Sequence, residues 1–162
     1  MEWLFRHEND PDGSLGWNLF DAHVGAIVMG RTTYDWVADE LRRSGLGWPH
    51  SQPCWVVTSR PVEPIKGADL RLAPSNPHDL ISETRAAANT TDVWCAGGGR
   101  VAAWLHAAGL IDELWVSIAP ELLGTGVPML PSAARLELVE HGRNAEFLTA
   151  RYRVVREVKD NA

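Results

Sequence analysis

Cysteine is scarce in this chain: two residues, Cys54 and Cys95, among 162. They form no CxxC pair and no disulfide framework. Both fall in stretches that read as strands, where a free thiol behaves as a small buried hydrophobe. That usage points to a reducing compartment, and the cytoplasm is expected. Long hydrophobic runs are missing too. None approaches the ~20 residues of a membrane span, and no secretory n-region and h-region precede the domain. Basic runs are absent and the net charge is −6, which excludes a nonspecific nucleic-acid binder. The histidines (His7, His23, His50, His78, His106 and His141) show no metal-ligand spacing, so no metal site is expected. No Gly-x-Ser-x-Gly elbow is present, which argues against a hydrolase with an activated serine. Internal repeats, low-complexity tracts and domain linkers are likewise absent.

What remains is ordinary for a soluble globular protein, with 45% hydrophobic and 22% charged residues. The length suits one domain with one sizeable core. Residues 1–16 are polar and glycine-rich, with a turn signal at Pro11-Asp12-Gly13. Trp17 to His23 reads as a short helix. Ala26-Ile27-Val28-Met29 is a brief apolar run, as expected of a strand covered on both faces. Thr32 or Thr33 then caps a helix reaching about Arg43, with Tyr34, Val37 and Leu41 on one side. Strands follow at Cys54–Thr58 and Asp69–Leu72, a helix at Asp79–Asn89, and a strand at Val93–Ala96. A helix from about Arg100 to Ala108 ends at Gly109, a glycine of the C′ type. A strand at Glu113–Ala119 and a hairpin of Leu136–His141 with Phe147–Val155 complete the chain. Alternating strands and helices with a terminal hairpin predict one α/β domain, its sheet largely parallel with antiparallel additions.

The most informative segment is Val93-Trp94-Cys95-Ala96-Gly97-Gly98-Gly99-Arg100-Val101-Ala102. Three glycines between a strand and a helix let the backbone turn sharply and come close to a bulky anion. The helix that follows aims its free N–H groups and positive dipole end at the same place, as phosphate sites do. The competing reading is a tight turn and nothing more. Gly97, Gly99 and Ala102 satisfy G-x-G-x-x-A, but a Rossmann domain does not follow. That fingerprint opens its domain, whereas here it comes late, and Asp112 and Glu113 arrive too early for the ribose-binding acid.

Two further loops follow strands. Met29-Gly30-Arg31-Thr32-Thr33-Tyr34 offers a second helix N-terminus with a guanidinium and hydroxyls. Thr58-Ser59-Arg60-Pro61 sets a hydroxyl beside a guanidinium whose fork suits a phosphate monoester. Either arginine alone also reads as a surface charge. Together the three loops lie at the carboxyl ends of strands, where open α/β sheets bind ligands.

Met-Gly-Arg-x-Thr-Tyr (29–34), Val-Thr-Ser-Arg-Pro (57–61) and Ala-Gly-Gly-Gly-Arg (96–100), in this order, resemble the dihydrofolate reductase-like family. Gly109-Leu110-Ile111-Asp112-Glu113-Leu114 and Ala119-Pro120-Glu121-Leu122-Leu123-Gly124-Thr125-Gly126-Val127-Pro128 resemble its branch related to the reductase domain of the bifunctional riboflavin-biosynthesis deaminase/reductase. The resemblance runs from about Trp17 to the end. It implies one such domain over 1–162, with 1–16 an irregular lead-in, a mixed and mainly parallel central sheet flanked by helices, and a C-terminal antiparallel hairpin. It also implies an NADPH site. Gly30, Arg31, Thr32 and Thr33, with Gly97, Gly98, Gly99, Arg100 and Val101, would hold the pyrophosphate, and Ser59 and Arg60, following Thr58, would receive the 2′-phosphate. Members of this branch are often homodimers, so a homodimer is implied as well. One departure stands out. Relatives open with a strand ending in a Ser-Leu-Asp-Gly-like motif, whereas Met1-Glu2-Trp3-Leu4 resembles sequence from just after it. Either the start lies further upstream or the strand is lost. A sheet without it is expected to keep a gap or an unpaired edge, which Met1 to His7 could partly fill.

For chemistry, hydride transfer needs a proton source beside the acceptor. Asp21, in Trp17-Asn18-Leu19-Phe20-Asp21, is the candidate, because an acid on the corresponding helix meets the pterin in folate-reducing relatives; its spacing is one residue off that pattern. The alternative is a solvated or helix-capping Asp21. Trp17 and Trp48 could stack on a flat heterocycle, though with eight tryptophans most are expected in the core. Leu123 and Gly124 would line the pocket beside the nicotinamide, or else form a plain connection. The leading expectation is an NADPH-dependent reductase of a pterin, flavin-precursor or pyrimidine. A non-catalytic nucleotide- or pterin-binding module is the alternative, and a third reading is an oligomeric scaffold in which Gly98→Val would alter stability alone.

Overall fold

The computed structural model describes residues 3–156. In chain order the elements are α1 (Trp17–Asp21), β1 (Val24–Gly30), α2 (Arg31–Ser44), β2 (Cys54–Val57), β3 (Leu70–Leu72), α3 (Pro77–Ala88), β4 (Asp92–Gly97), α4 (Gly99–Ala107), β5 (Glu113–Ile118), β6 (Arg135–Asn144) and β7 (Phe147–Val155). They group into two compact units. One, spanning His23–Leu110 with Pro128–Pro131, holds a parallel sheet. The other holds an antiparallel sheet, built from the described residues up to Ala22, Ile111–Val127 and those from Ser132 onward.

The parallel sheet has the order β3-β2-β1-β4. Its centre is β1, where Ala26, Ile27 and Val28 are completely buried and Met29 nearly so. A strand this uniformly apolar needs cover on both faces, and α2, α3 and α4 all pack on it. Trp55 is buried in β2, its Nε1 donating to Glu83 Oε2 on α3 at 3.0 Å, with Arg71 stacked 4.6 Å from its ring centre. α3 starts earlier than the apolar pattern suggests. Asn76 caps it, accepting from the N–H groups of His78 and Asp79, and Pro77 occupies the first turn, where no N–H is needed.

The antiparallel sheet has the order β5-β7-β6. The irregular stretch before α1 is tied to its hairpin by Asn144. The Asn144 side chain accepts from Asp10 N–H at 2.9 Å and donates to Asp10 O at 2.8 Å. Phe20 of α1 packs edge-on to Trp115 of β5 at 5.3 Å. Pairing of Leu114 with Tyr152, Ile118 with Leu148, and Leu136 with Val154 puts these residues on one face, largely apolar but interrupted on β6 by His141 and Arg143, which pair with Ala150 and Leu148.

Two expectations need correction and one is met. Among the described residues, Leu4–Arg6 form a 3-10 turn, so His7 and its neighbours supply no extra strand; Met1 and Glu2 lie outside the described residues. The expected unpaired edge is present, since β4 pairs only with β1 and β5 only with β7 among the described residues. Most tryptophans are not core residues: Trp55 alone is buried, while Trp17 and Trp36 are exposed and the others half-buried.

Candidate functional site

Parallel pairing fixes the candidate site. Gly30 lies opposite Val57 and Met29 opposite Gly97, so β1, β2 and β4 end level with one another. The segments that leave them are 31–33, 58–60 and 98–101, the three loops picked out in the sequence. Packing joins two of them. A Cβ on Gly30 would come 3.0 Å from Val101 Cγ2, and one on Gly97 would come 3.4 Å from Thr33 Oγ1.

Two helices begin here, and neither has a side-chain cap. α2 starts at Arg31 with Gly30 as N-cap; α4 starts at Gly99 with Gly98 as N-cap. Thr32 and Thr33 therefore sit inside the first turn of α2 and do not cap it, because extended Gly30 lets the helix begin two residues earlier than expected. A first turn without a cap leaves N–H groups and a positive dipole end for an anion. In α4, Val101 N–H already donates to Gly98 O at 2.9 Å, and its side chain is buried.

The three glycines have three different reasons to be glycine. Gly97 has φ of +129°, which L side chains rarely adopt. Gly99 packs against another chain segment, where a Cβ would fall 2.7 Å from Pro128 O and 2.8 Å from Met129 O. Gly98 has an ordinary φ of −42°, and the nearest atom to its Cβ position is Thr33 Oγ1 at 3.9 Å. Of the three, only Gly98 combines an ordinary φ with room for a Cβ in normal van der Waals contact.

The arginines also differ. Arg31 is a strut: its Nε donates to Asp35 Oδ1 at 2.6 Å and its NH1 to Pro61 O at 2.7 Å, and its guanidinium lies 5.3 Å from the Tyr34 ring centre. Buried Tyr34 completes the brace by donating its hydroxyl to Glu63 O at 2.7 Å. Burial pushes the Tyr34 phenol above its usual range, with the Arg31 charge opposing, so it stays a neutral donor. Arg60 is 63% exposed and makes one longer contact, NH2 to Asp35 Oδ2 at 3.3 Å. Its N–H donates to Thr58 Oγ1 at 3.1 Å, shaping the turn, while Ser59 and Arg100 are exposed. Asp35 was not foreseen, and Tyr34 was read as a helix-face residue without its bond to Glu63 O. The i,i+4 spacing of Arg31 and Asp35 was the available signal.

The substrate-side candidates Trp17, Asp21, Leu123 and Gly124 belong to the antiparallel unit. Trp17 leans on Phe20 at 5.9 Å, Asp21 ends α1 half-buried, and Leu123 and Gly124 lie in an exposed turn where Gly124 has φ of +71°. Trp48, in the parallel unit, belongs to an aromatic row: it meets His50 edge-on at 5.6 Å, and His50 meets Trp94 at 5.6 Å. Among the described residues no cluster of His, Cys, Asp or Glu could hold a metal, and no helix is long and apolar enough to cross a membrane.

Comparison with known proteins bears on the fold and the family. The chain is 22% identical over 130 residues to the uncharacterized protein YwjB of Bacillus subtilis (strain 168), covering 80% of this chain and 70% of YwjB. Its fold resembles a putative riboflavin biosynthesis protein from Shewanella sp. PV-4, with a TM-score of 0.76 at 24% identity, over 96% of this chain and 88% of that one. It also resembles the riboflavin biosynthesis reductase Rib7 of Saccharomyces cerevisiae, with a TM-score of 0.53 at 17% identity, over 86% and 80% of the two chains. Residues 37–147, more than half of the chain, match the RibD C-terminal domain, and the chain belongs to that family.

Proposed function

We propose that this protein is an NADPH-dependent reductase of a small heterocycle of pterin, flavin-precursor or pyrimidine type. One observation carries the reading: two uncapped helix N-termini, an uncrowded Gly98 and an exposed arginine stand at the ends of three adjacent parallel strands. Family membership and the likeness to a riboflavin biosynthesis reductase support a reductase-type role.

The bound nicotinamide would supply the hydride. The chain's own residues would do the rest. First-turn N–H groups of α2 and α4 hold the pyrophosphate, with Gly97, Gly98 and Gly99 letting it approach. Ser59 and Arg60 hold the 2′-phosphate, and Arg31 keeps the turn after β2 braced. Asp21 supplies the proton for the acceptor, and Trp17, Leu123 and Gly124 meet the substrate. The cytoplasm is the matching compartment, since both cysteines are free. The working form in this reading is a homodimer, joined through the apolar face of β5-β7-β6, where Ile118, Leu138 and Leu148 are each more than half exposed. Leu148→Asp should then yield a monomer in sedimentation, and a parent that already sediments as a monomer would overturn this part.

A non-catalytic nucleotide- or pterin-binding module is the second reading. That β4, directly before the glycines, pairs with β1 alone among the described residues favours it. Turnover separates the two. NADPH oxidation that depends on an added pterin or ribityl-pyrimidine supports the reductase. Binding of NADPH without oxidation across such a panel supports the module.

A further inference from the structure

Asp35 joins the two arginines of the candidate site. Its Oδ1 takes Arg31 Nε at 2.6 Å and its Oδ2 takes Arg60 NH2 at 3.3 Å. The two partners are not equal. Arg31 is 21% exposed and also bound to Pro61 O, whereas Arg60 is 63% exposed and its side chain is held by this one longer contact. One carboxylate thus anchors a strut and, with its other oxygen, occupies the guanidinium that faces solvent.

We propose that Asp35 is an internal stand-in for a ligand phosphate: it holds Arg60 until it yields it to an arriving phosphomonoester. Resting on the reading above, this inference concerns what sets the strength of the 2′-phosphate contact. A phosphomonoester carries about −1.5 to −2 charge at neutral pH and offers three acceptor oxygens, against one charge and two oxygens on Asp35. An arginine fork exchanges the weaker partner for the stronger, because bidentate pairing with phosphate adds a second charge-assisted bond. Arg31 cannot make the same exchange without giving up Pro61 O and its place beside Tyr34. Asp35 is therefore a positioning residue acting through Arg60, and its charge opposes binding of the phosphate that Arg60 receives.

The test is Asp35→Asn, which keeps an oxygen for Arg31 Nε and removes the charge. Dissociation constants for NADPH, NADH and adenosine 2′-monophosphate are measured at low and at high salt, with thermal unfolding as a check on the fold. The expected result is about fivefold tighter binding of NADPH and adenosine 2′-monophosphate at low salt. NADH should be unchanged, and the gain should shrink as salt rises. Asp35→Glu should behave like the parent. In Asp35→Asn combined with Arg60→Ala the gain should vanish, because it runs through Arg60. If the parent prefers NADPH and Asp35→Asn binds it equally or more weakly, the stand-in role is overturned while the cofactor assignment stands. A parent that binds neither NADPH nor adenosine 2′-monophosphate overturns the cofactor assignment, and the stand-in role with it.

Discussion

Replacing Gly98 and Gly99 separately by alanine divides ligand binding from stability within one loop. At Gly98 the new Cβ meets nothing nearer than Thr33 Oγ1 at 3.9 Å, and φ of −42° is ordinary for alanine. Alanine is a poor N-cap, a loss of about 0.5–1 kcal/mol. The stiffer unfolded chain returns about 0.4–1 kcal/mol, so the net change should be near zero. At Gly99 the Cβ falls 2.7 Å from Pro128 O and 2.8 Å from Met129 O. Backbone must move, and overpacking of this kind costs about 1–3 kcal/mol. For a chain of this size that is roughly 3–10 °C in melting temperature. Binding should run the opposite way per unit of lost stability. The Gly98 methyl would stand where the pyrophosphate is proposed to approach the backbone, so NADPH affinity should fall at least tenfold, about 1.4 kcal/mol. Calorimetric unfolding and NADPH titration of both variants measure the two effects. A Gly98→Ala variant with parental stability and parental NADPH affinity would refute the reasoning and leave the loop as a turn.

Other consequences follow from single contacts. Asn144→Ala removes both bonds to Asp10 from a buried position; urea unfolding should show a loss of about 2–3 kcal/mol, and a loss under 0.5 kcal/mol would contradict the tether. Glu8 N–H and His7 hold the Glu146 carboxyl below its ordinary value of 4.5. A lowered folded pKa adds stability that is present above the unfolded value and is lost as pH falls through the folded one. Hydrogen exchange of Glu8 N–H should therefore accelerate below that ordinary value more in the parent than in Glu146→Gln, and a pH-independent difference would contradict this. Burial pushes the Cys54 thiol up to about 12. At mild alkaline pH it should react with a disulfide reagent only after denaturation, and rapid reaction in the native protein would overturn the placement of β2.

The strands were legible because buried parallel strands are short unbroken apolar runs; Ala26–Met29 and Cys54–Val57 could be little else. The glycine loop was legible as a motif but not in its division of labour, since Gly99 answers to Pro128 and Met129, which lie some thirty residues away in sequence. Helix starts were misjudged where a residue outside the usual cap set decides them: Gly30 sets α2, while threonines that look like caps stand in its first turn. Of the arginines, the sequence showed charge and position but not commitment. Arg31 and Arg60 read alike until the bond from Arg31 to Pro61 O and the exposure of Arg60 distinguish strut from solvent-facing fork. Trp17 of α1 and Trp36 of α2 are exposed, and residue patterns alone do not report which indoles find cover.

The central claim is that the loops after β1, β2 and β4 hold a phosphorylated dinucleotide. Titrating the protein with NADPH and with NADH, followed by nicotinamide fluorescence and tryptophan quenching, tests it most directly. The account predicts saturable binding with NADPH at least tenfold tighter than NADH, as a charge-assisted contact of Arg60 worth about 1.5 kcal/mol requires. Equal affinity for the two would contradict the role of Arg60, and no binding of either at millimolar concentration would contradict the site.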